Sequence, residues 1–258
     1  LGRFEHILAA LWLAAERRAV VRHEEAEKAS VKAFAVVAVL LLAASARGET
    51  PTQSTCYGTA EKGRLENGVS LPVSGPNFQT YSSLGNALGR TCVHSAVAEI
   101  VTAAYADLAR ELPSTVFVYG ETSWCSGGSF RPHKTHENGT SVDFMVPVRN
   151  GTGSSVPLPT GPLNKFGYSL EFDASGKAGD LAVDFPAITA HLYFLEREAR
   201  ARGVKIRRVI LAPEFQRQLV GTPHWPQVAE LVPFSKGKPW VRHDEHYHVD
   251  FLPGCKPL

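Results

Sequence analysis

The sequence lacks the features that mark a fibre, a disordered chain or a nucleic-acid-binding protein. Its 258 residues carry 27 basic and 25 acidic side chains, for a formal net charge of only +2. Without a strong basic field, nucleic acid is not expected as a partner. Hydrophobic residues make up 44% of the chain, which supplies the apolar material of an ordinary globular fold.

Long hydrophobic runs are also missing. The most apolar stretch, residues 33–44, is short of the roughly 20 residues that a membrane span needs. Two lysines precede it, and Ala44-Ser45-Ala46 supplies small residues at the spacing that a signal peptidase accepts. We therefore expect residues 1–46 to form a leader with a cleaved secretory signal, rather than a short buried helix. The mature protein, about residues 47–258, should have no stable membrane span.

The chain has no CxxC pair, which argues against a zinc knuckle or a redox motif. All four cysteines follow the predicted cleavage point, and an even number in an exported domain indicates two disulfides. Three connectivities are possible. We favour Cys56 with Cys255 and Cys92 with Cys125, because linking the two ends closes the longest loop. Four buried thiols would be the better interpretation for a cytosolic protein.

Helices and strands are predicted to interleave without repeats and without a steady βα rhythm. Apolar spacing predicts helices over residues 93–108, 184–203 and 213–220, and runs of β-branched and aromatic residues predict strands over 115–121, 141–148, 168–173, 205–212 and 246–252. Residues 47–90, rich in Gly, Pro, Ser and Asn, should form an irregular N-terminal arm. The fold class is therefore α+β: one domain, residues 91–258, with a small, mainly antiparallel sheet flanked by helices.

Two histidine clusters far apart in the sequence each lie beside a predicted strand. In the first, His136 ends a loop, Gly139 lets the backbone turn with a positive φ, and Asp143 enters on the next strand. An imidazole and a carboxylate would then lie side by side. This is the distribution expected of a metal site that is assembled across neighbouring strands.

In the second cluster, the strand period of two puts His246, His248 and Asp250 on one face. Zinc suits a site of two imidazoles and one carboxylate, with a fourth position open for water. Such an open site is typical of catalysis, since structural sites use four protein ligands. Asp250 could orient an imidazole from behind.

These motifs resemble a known group of zinc folds. The pattern HxxGxxxD from His136 to Asp143, followed by HxH from His246 to His248, resembles the lysostaphin, D-Ala-D-Ala peptidase and Sonic hedgehog group. The string Pro-Trp-Val-Arg-His-Asp-Glu-His-Tyr-His at residues 239–248, with Cys255 shortly after it and His133 before His136, resembles the penicillin-insensitive murein endopeptidases. The similarity covers about residues 92–255.

The resemblance implies a hedgehog/D-Ala-D-Ala-peptidase-like fold and a periplasmic or secreted enzyme of the bacterial envelope. It implies that His136, Asp143 and His248 bind zinc, while His246 stabilises the transition state or moves protons and His243 supports it. The implied substrate is the cross-link between stem peptides of peptidoglycan. The family's link between the N-terminal arm and the C-terminal end supports the Cys56–Cys255 pairing.

The resemblance also implies a second metal, bound partly by the histidine equivalent to His133 together with an Asp and a His. Asp173 lies in a suitable region, but residues 174–179 contain no histidine. We therefore predict one zinc ion per chain. His133 and Asp250 are then supporting residues, with His133 a ligand only if a second metal binds.

The acid-base group is less well determined by the sequence. Glu245 stands three residues before His248, the ExxH arrangement of D-Ala-D-Ala dipeptidases and carboxypeptidases. On a regular strand this odd offset would turn Glu245 to the opposite face from His248, although a bulge could restore it. We therefore rank His246 above Glu245. A D-Ala-D-Ala dipeptidase or carboxypeptidase, and a non-catalytic zinc-containing binding domain, are the alternative functions.

Overall fold

The fold is built on a five-stranded sheet in a computed structural model that describes residues 53–237 and 241–258. The predicted leader, residues 1–46, lies outside the described residues. The helices are α1 (Ser83–Ala87), α2 (Ser95–Glu111), α3 (Phe185–Ala201), α4 (Pro213–Gln218) and α5 (Trp225–Leu231), with a 3₁₀ helix over Pro162–Gly167. The strands are β1 (Thr55–Gly58), β2 (Gly63–Glu66), β3 (Val69–Ser70), β4 (Phe78–Thr80), β5 (Cys92–Val93), β6 (Phe117–Tyr119), β7 (Ser141–Met145), β8 (Val148–Arg149), β9 (Ser155–Val156), β10 (Lys177–Ala178), β11 (Leu181–Val183), β12 (Lys205–Ile210) and β13 (His246–Leu252).

The central sheet has the strand order β12-β13-β7-β6-β4. Every neighbouring pair is antiparallel except β6 with β4, which run parallel. The α+β class and the mainly antiparallel sheet are therefore confirmed. Smaller antiparallel units surround it: a second sheet of order β10-β11-β8-β9 and the pairs β1-β2 and β3-β5.

Helices α2 and α3 cover one face of the central sheet. Along α2, apolar side chains recur three and four residues apart and form one buried stripe, as the sequence predicts. Helix α3 begins at its predicted N-cap, where the Asp184 side chain accepts a hydrogen bond from the Ala187 amide. Tyr247 and Phe144 lie on the sheet face beneath these helices and stack with ring centroids 5.6 Å apart. The strand period of two therefore turns Asp143 and His248 to the opposite face.

The two disulfides join the pairs predicted from the sequence. Cys56 in β1 bonds to Cys255, which follows β13, and Cys92 bonds to Cys125. The first bridge is reinforced by backbone hydrogen bonds between Lys256 and the β1 residues Cys56 and Gly58. The two ends of the described domain are thereby fastened together.

Two predictions from composition and periodicity are wrong. Residues 168–173, predicted as a strand, form a loop, and the Phe172 amide donates to the Asp244 side chain instead of a sheet partner. Within the segment predicted as an irregular arm, β4 pairs with β6 and becomes an edge of the central sheet. A three-residue strand is too short to show a period of two. The Gly, Pro, Ser and Asn content of the surrounding segment therefore determined the prediction. No helix among the described residues is long and apolar enough to cross a membrane.

Candidate metal centre

The site is built on two neighbouring strands on the sheet face away from α2 and α3. Asp143 of β7 pairs in register with His248 of β13, and both side chains are buried. His248 Nδ1 lies 2.8 Å from Asp143 Oδ1. The backbone of Asp143 is also held by Gly120 and Glu121, which extend the pairing at the end of β6. The carboxylate thus projects from a residue whose backbone is hydrogen-bonded on both sides.

His136 reaches the same carboxylate from the loop before β7. Its backbone has φ 71°, and Gly139 has φ 73°, as predicted for the turn into the strand. His136 Nδ1 bonds to the carbonyl oxygen of Thr122 at 2.5 Å, which turns Nε2 toward Asp143 Oδ1 at 3.2 Å. Apart from this ion-pair contact, that fully buried Nε2 atom has no hydrogen-bond partner among the described residues. A buried nitrogen without a partner is costly unless it binds something, and a metal ion would satisfy it.

The donor atoms fit a zinc ion. Two ligand atoms at zinc distances in a tetrahedral arrangement lie roughly 3.4 Å apart. Asp143 Oδ1 lies 3.2 Å from His136 Nε2, close to that spacing, and 2.8 Å from His248 Nδ1, which is hydrogen-bond distance. The His136 and His248 rings are nearly perpendicular, with centroids 4.7 Å apart. The donor set, two nitrogens and a carboxylate oxygen, is one that zinc accepts.

His133 lies in this cluster rather than apart from it. One ligand atom from each of His133, His136 and Asp143 falls within 4.8 Å of the others, so these three residues could bind a metal ion. His133 Nδ1 is 3.8 Å from Asp143 Oδ2, while its Nε2 is 2.6 Å from Glu121 Oε2. Asp173, the residue considered for a second metal, instead accepts hydrogen bonds within its own turn, from Ser175 and Lys177.

Other side chains hold the cluster from behind. Asp250 Oδ1 lies 2.7 Å from His248 Nε2. Asp250 is held in turn by Ser141 and by the guanidinium of Arg208. On the opposite side, the Tyr168 hydroxyl donates to Asp143 Oδ2 at 3.0 Å. A histidine ligand whose far nitrogen meets a carboxylate is the arrangement typical of catalytic zinc sites.

Beside the cluster lies a cavity of about 450 Å³. Its walls are Tyr81, Arg90, Glu121, Pro132, His133, Lys165, Phe166, Tyr168, Val241, His243, Glu245 and His246. His246 Nε2 approaches Asp143 Oδ2 at 3.8 Å, and its Nδ1 is 3.0 Å from Glu245 Oε1. The His243 and His246 ring centroids are 4.6 Å apart. The three residues predicted for catalysis therefore meet at the cavity wall.

The direction of Glu245 differs from the expectation for a regular strand. Strand β13 begins at His246, so Glu245 lies in the preceding bend, where alternation of faces does not apply. Its carboxylate consequently lines the same cavity as His246.

The carboxylates of Asp143 and Asp250 make the electrostatic potential at the histidines of the cluster negative. Burial opposes the charge of Asp143, but the His136 and His246 imidazoles outweigh it and hold the pKa of that carboxyl well below its ordinary value. Burial likewise opposes a charged His248, yet Asp250 and Asp143 raise its pKa to about 10, so a metal ion that binds this imidazole would have to displace a proton from it. Burial lowers the pKa of His136, which favours the neutral imidazole that a metal requires. The carboxylates thus attract positive charge to the point where these nitrogens converge.

Sequence reasoning missed the residues that surround His133. Glu121 Oε1 accepts from the Tyr81 hydroxyl at 3.0 Å and from Arg90 Nε at 2.5 Å. Burial raises the pKa of Glu121, but His133 and Arg90 outweigh it and lower that pKa to about 2. The one available signal was the position of Glu121 at the end of a predicted strand, since Tyr81 and Arg90 come from a segment with no recognisable pattern.

A comparison with protein families matches residues 56–255 to the family described as penicillin-insensitive murein endopeptidase. The matched range includes both disulfides, the metal-capable cluster and the cavity. No curated protein matches the chain. Residues 238–240, which include part of the string that carried the sequence resemblance, lie outside the described residues.

Proposed function

Because the chain belongs to the penicillin-insensitive murein endopeptidase family, we propose that it is a zinc-dependent endopeptidase that hydrolyses peptide cross-links of peptidoglycan. The observation that carries the proposal is the convergence of His136 Nε2 and His248 Nδ1 on one buried carboxylate oxygen of Asp143, beside a cavity. In this proposal the convergence would provide an open metal site next to a space that a peptide can enter.

In this proposal His136, Asp143 and His248 bind a single zinc ion. A bound zinc would act as a Lewis acid toward the scissile carbonyl and make a water nucleophile available at neutral pH. Asp250 fixes the orientation of His248 through its Nε2, and the Thr122 carbonyl does the same for His136 through its Nδ1. These outer contacts leave the inner nitrogens directed at the metal position.

His246 is proposed as the residue that donates a hydrogen bond to the oxyanion formed at the scissile carbonyl. Burial disfavours its protonated form, but Asp143 and Glu245 outweigh burial and raise its pKa. A donor fixed in a buried site is most effective where negative charge develops in the transition state. His243, packed against His246, limits the movement of that ring.

The cavity position of Glu245 supports a second candidate, a D-Ala-D-Ala dipeptidase or carboxypeptidase. In such an enzyme Glu245 would take a proton from the attacking water. Its bond to His246 also allows it to hold the imidazole instead. Replacing each residue separately distinguishes the roles: the larger loss of kcat should follow His246→Ala if His246 stabilises the oxyanion, and Glu245→Gln if Glu245 is the base.

We further propose that the protein acts in the bacterial periplasm or outside the cell, on stem peptides of the wall. The family implies action in the cell envelope, and the two disulfides are consistent with an oxidising compartment.

Incubation of the purified protein with intact sacculi, followed by mass spectrometry of the muropeptides, tests the activity. Loss of cross-linked dimers supports the endopeptidase. Loss of terminal D-Ala alone would replace it with the carboxypeptidase. Unchanged muropeptides, with zinc bound, would indicate a binding domain.

A further inference from the structure

One wall of the cavity is formed by a strained turn. Lys165 and Phe166 both have left-handed backbones, with φ 52° and 59°, and Gly167 follows with φ 99°. A left-handed conformation costs a side-chain-bearing residue on the order of 1–2 kcal/mol. Two adjacent residues with large side chains are rarely both left-handed. Backbone strain of this kind is concentrated at ligand-binding and active sites.

The turn is held in this conformation by Asn164. Asn164 Oδ1 accepts from the amides of Gly161 and Gly167, each at 2.9 Å, and its Nδ2 donates to the Pro159 carbonyl at 2.8 Å. The Phe166 amide adds a bond of 2.7 Å to the Gly161 carbonyl. The strained backbone is therefore tightly defined by its surroundings.

The turn brings Lys165 to the cavity wall that also carries His246 and Glu245. The other cation of that wall, Arg90, is committed to Glu121 and lies over the Phe130 ring, 4.3 Å from its centroid. By contrast, the Lys165 ammonium has no hydrogen-bond or ion-pair partner among the residues that the structure describes.

The carboxylates of the wall are likewise committed. Glu121 is bound by Arg90, His133 and Tyr81, and Glu245 by His246. Lys165 is thus the cationic side chain of the wall that has no acidic partner there. Lys165 is exposed at this wall, and a lysine ammonium at the wall of a cavity suits an anionic group of the ligand.

Phe166 and Tyr81 also line a second cavity. Its walls are Val73, Ser74, Gln79, Thr80, Tyr81, Ser82, Ser83, Leu84, Thr160 and Phe166, with no Asp, Glu, Lys or Arg among them. The ionised side chains that could recognise a charged group of a bound peptide therefore belong to the first cavity.

We propose that the Lys165-Phe166 turn is the specificity element of this cavity, and that Lys165 binds a carboxylate of the peptide substrate. The carboxylate could be an acidic side chain beside the cleaved bond or the C-terminus of a stem peptide. The proposal rests on the proposed function in that it takes the cavity as the substrate site. Beyond that function, it specifies that the substrate must carry a free carboxylate and that Lys165 binds this carboxylate.

The test uses a synthetic cross-linked stem-peptide dimer in three forms: all carboxylates free, side-chain carboxylates amidated, and C-terminal carboxylates amidated. Wild type should lose roughly tenfold or more in kcat/KM when the carboxylate that Lys165 binds is amidated, and the affected form identifies which carboxylate that is. Lys165→Met should lose a similar factor on the free dimer and no longer distinguish the forms. Lys165→Arg should restore much of the preference.

The matched control is Lys205→Met. Lys205 is an exposed lysine on β12 away from the cavity, so this variant should behave as wild type. Equal rates of wild type on all three forms, or retained discrimination in Lys165→Met, would overturn the proposal. If no form is cleaved, the proposed function fails; calorimetric binding of the same three dimers to wild type and Lys165→Met then decides the carboxylate proposal alone. Loss of affinity on amidation only in wild type supports it, and equal affinities in both proteins refute it.

Discussion

The Tyr168 hydroxyl lies between the carboxylate of Asp143 and the backbone of Glu121. It donates to Asp143 Oδ2 at 3.0 Å and accepts from the Glu121 amide at 2.9 Å. Because Oδ2 is occupied in this way, Asp143 presents Oδ1 to His136 and His248. Tyr168 is therefore a positioning residue for the carboxylate, and it is brought there by a loop rather than by the sheet.

Replacing Tyr168 with phenylalanine should lower zinc affinity by roughly 10- to 100-fold, the usual effect of removing an outer partner of a ligand. The ring would still pack, so the fold should persist. Titration against a chelator of known affinity measures the change. Tyr193→Phe, at a partly buried tyrosine of α3 whose ring stacks on His224, is the matched control. Unaltered zinc affinity in Tyr168→Phe would show that Asp143 needs no such support.

Lys165→Gly should separate stability from recognition. Glycine adopts the left-handed backbone without steric cost, and relief of about 1–2 kcal/mol of strain exceeds the roughly 0.5–1 kcal/mol that glycine costs through the entropy of the unfolded chain. The fold should therefore gain about 0.5–1 kcal/mol, or roughly 1–4 °C in the melting temperature. The same variant lacks the ammonium and should lose the preference for free carboxylates. Calorimetric melting and the dimer assay measure the two effects. A lower melting temperature would contradict the strain assigned to this turn.

His191 should make the fold sensitive to acid. Burial between α3 and the sheet lowers its pKa to about 3, against about 6.5 in an unfolded chain. Between these values the unfolded state binds the additional proton, so the free energy of unfolding falls as the pH drops below about 6.5. From pH 6 to pH 4 the loss should be about 2.5 kcal/mol. Urea unfolding of wild type and His191→Gln measures it; parallel losses in both proteins would exclude His191 as the cause.

The Cys56–Cys255 disulfide should stabilise the fold more than Cys92–Cys125. The first spans 199 residues of sequence and the second 33. In the chain-entropy account the longer loop is worth about 1.5 kcal/mol more. Denaturant unfolding of the two double alanine variants provides the comparison. Equal destabilisation would mean that loop entropy does not control their contributions here.

Local sequence patterns predicted the parts of the site that local structure determines. The period of two places His246, His248 and Asp250 correctly on one face of β13, and the loop-strand unit places His136 against Asp143. The α3 N-cap was predictable for the same reason, because a capping side chain acts on amides a few residues away.

The rest of the site depends on contacts between distant segments. Tyr168 meets Asp143 from a loop that the sequence predicts as a strand, and Arg90 and Tyr81 reach Glu121 from a segment rich in turn-forming residues. Nothing in the neighbourhood of these residues specifies their partners. The direction of Glu245 was also beyond a periodicity argument, since it depends on which residue begins β13.

The most direct test of the central claim is to titrate metal-free protein with zinc while measuring cleavage of cross-linked muropeptide dimers from sacculi. A site formed by His136, Asp143 and His248 predicts that cleavage rises in proportion to added zinc and reaches its plateau at one ion per chain. A plateau at two ions, or full cleavage without zinc, would contradict it.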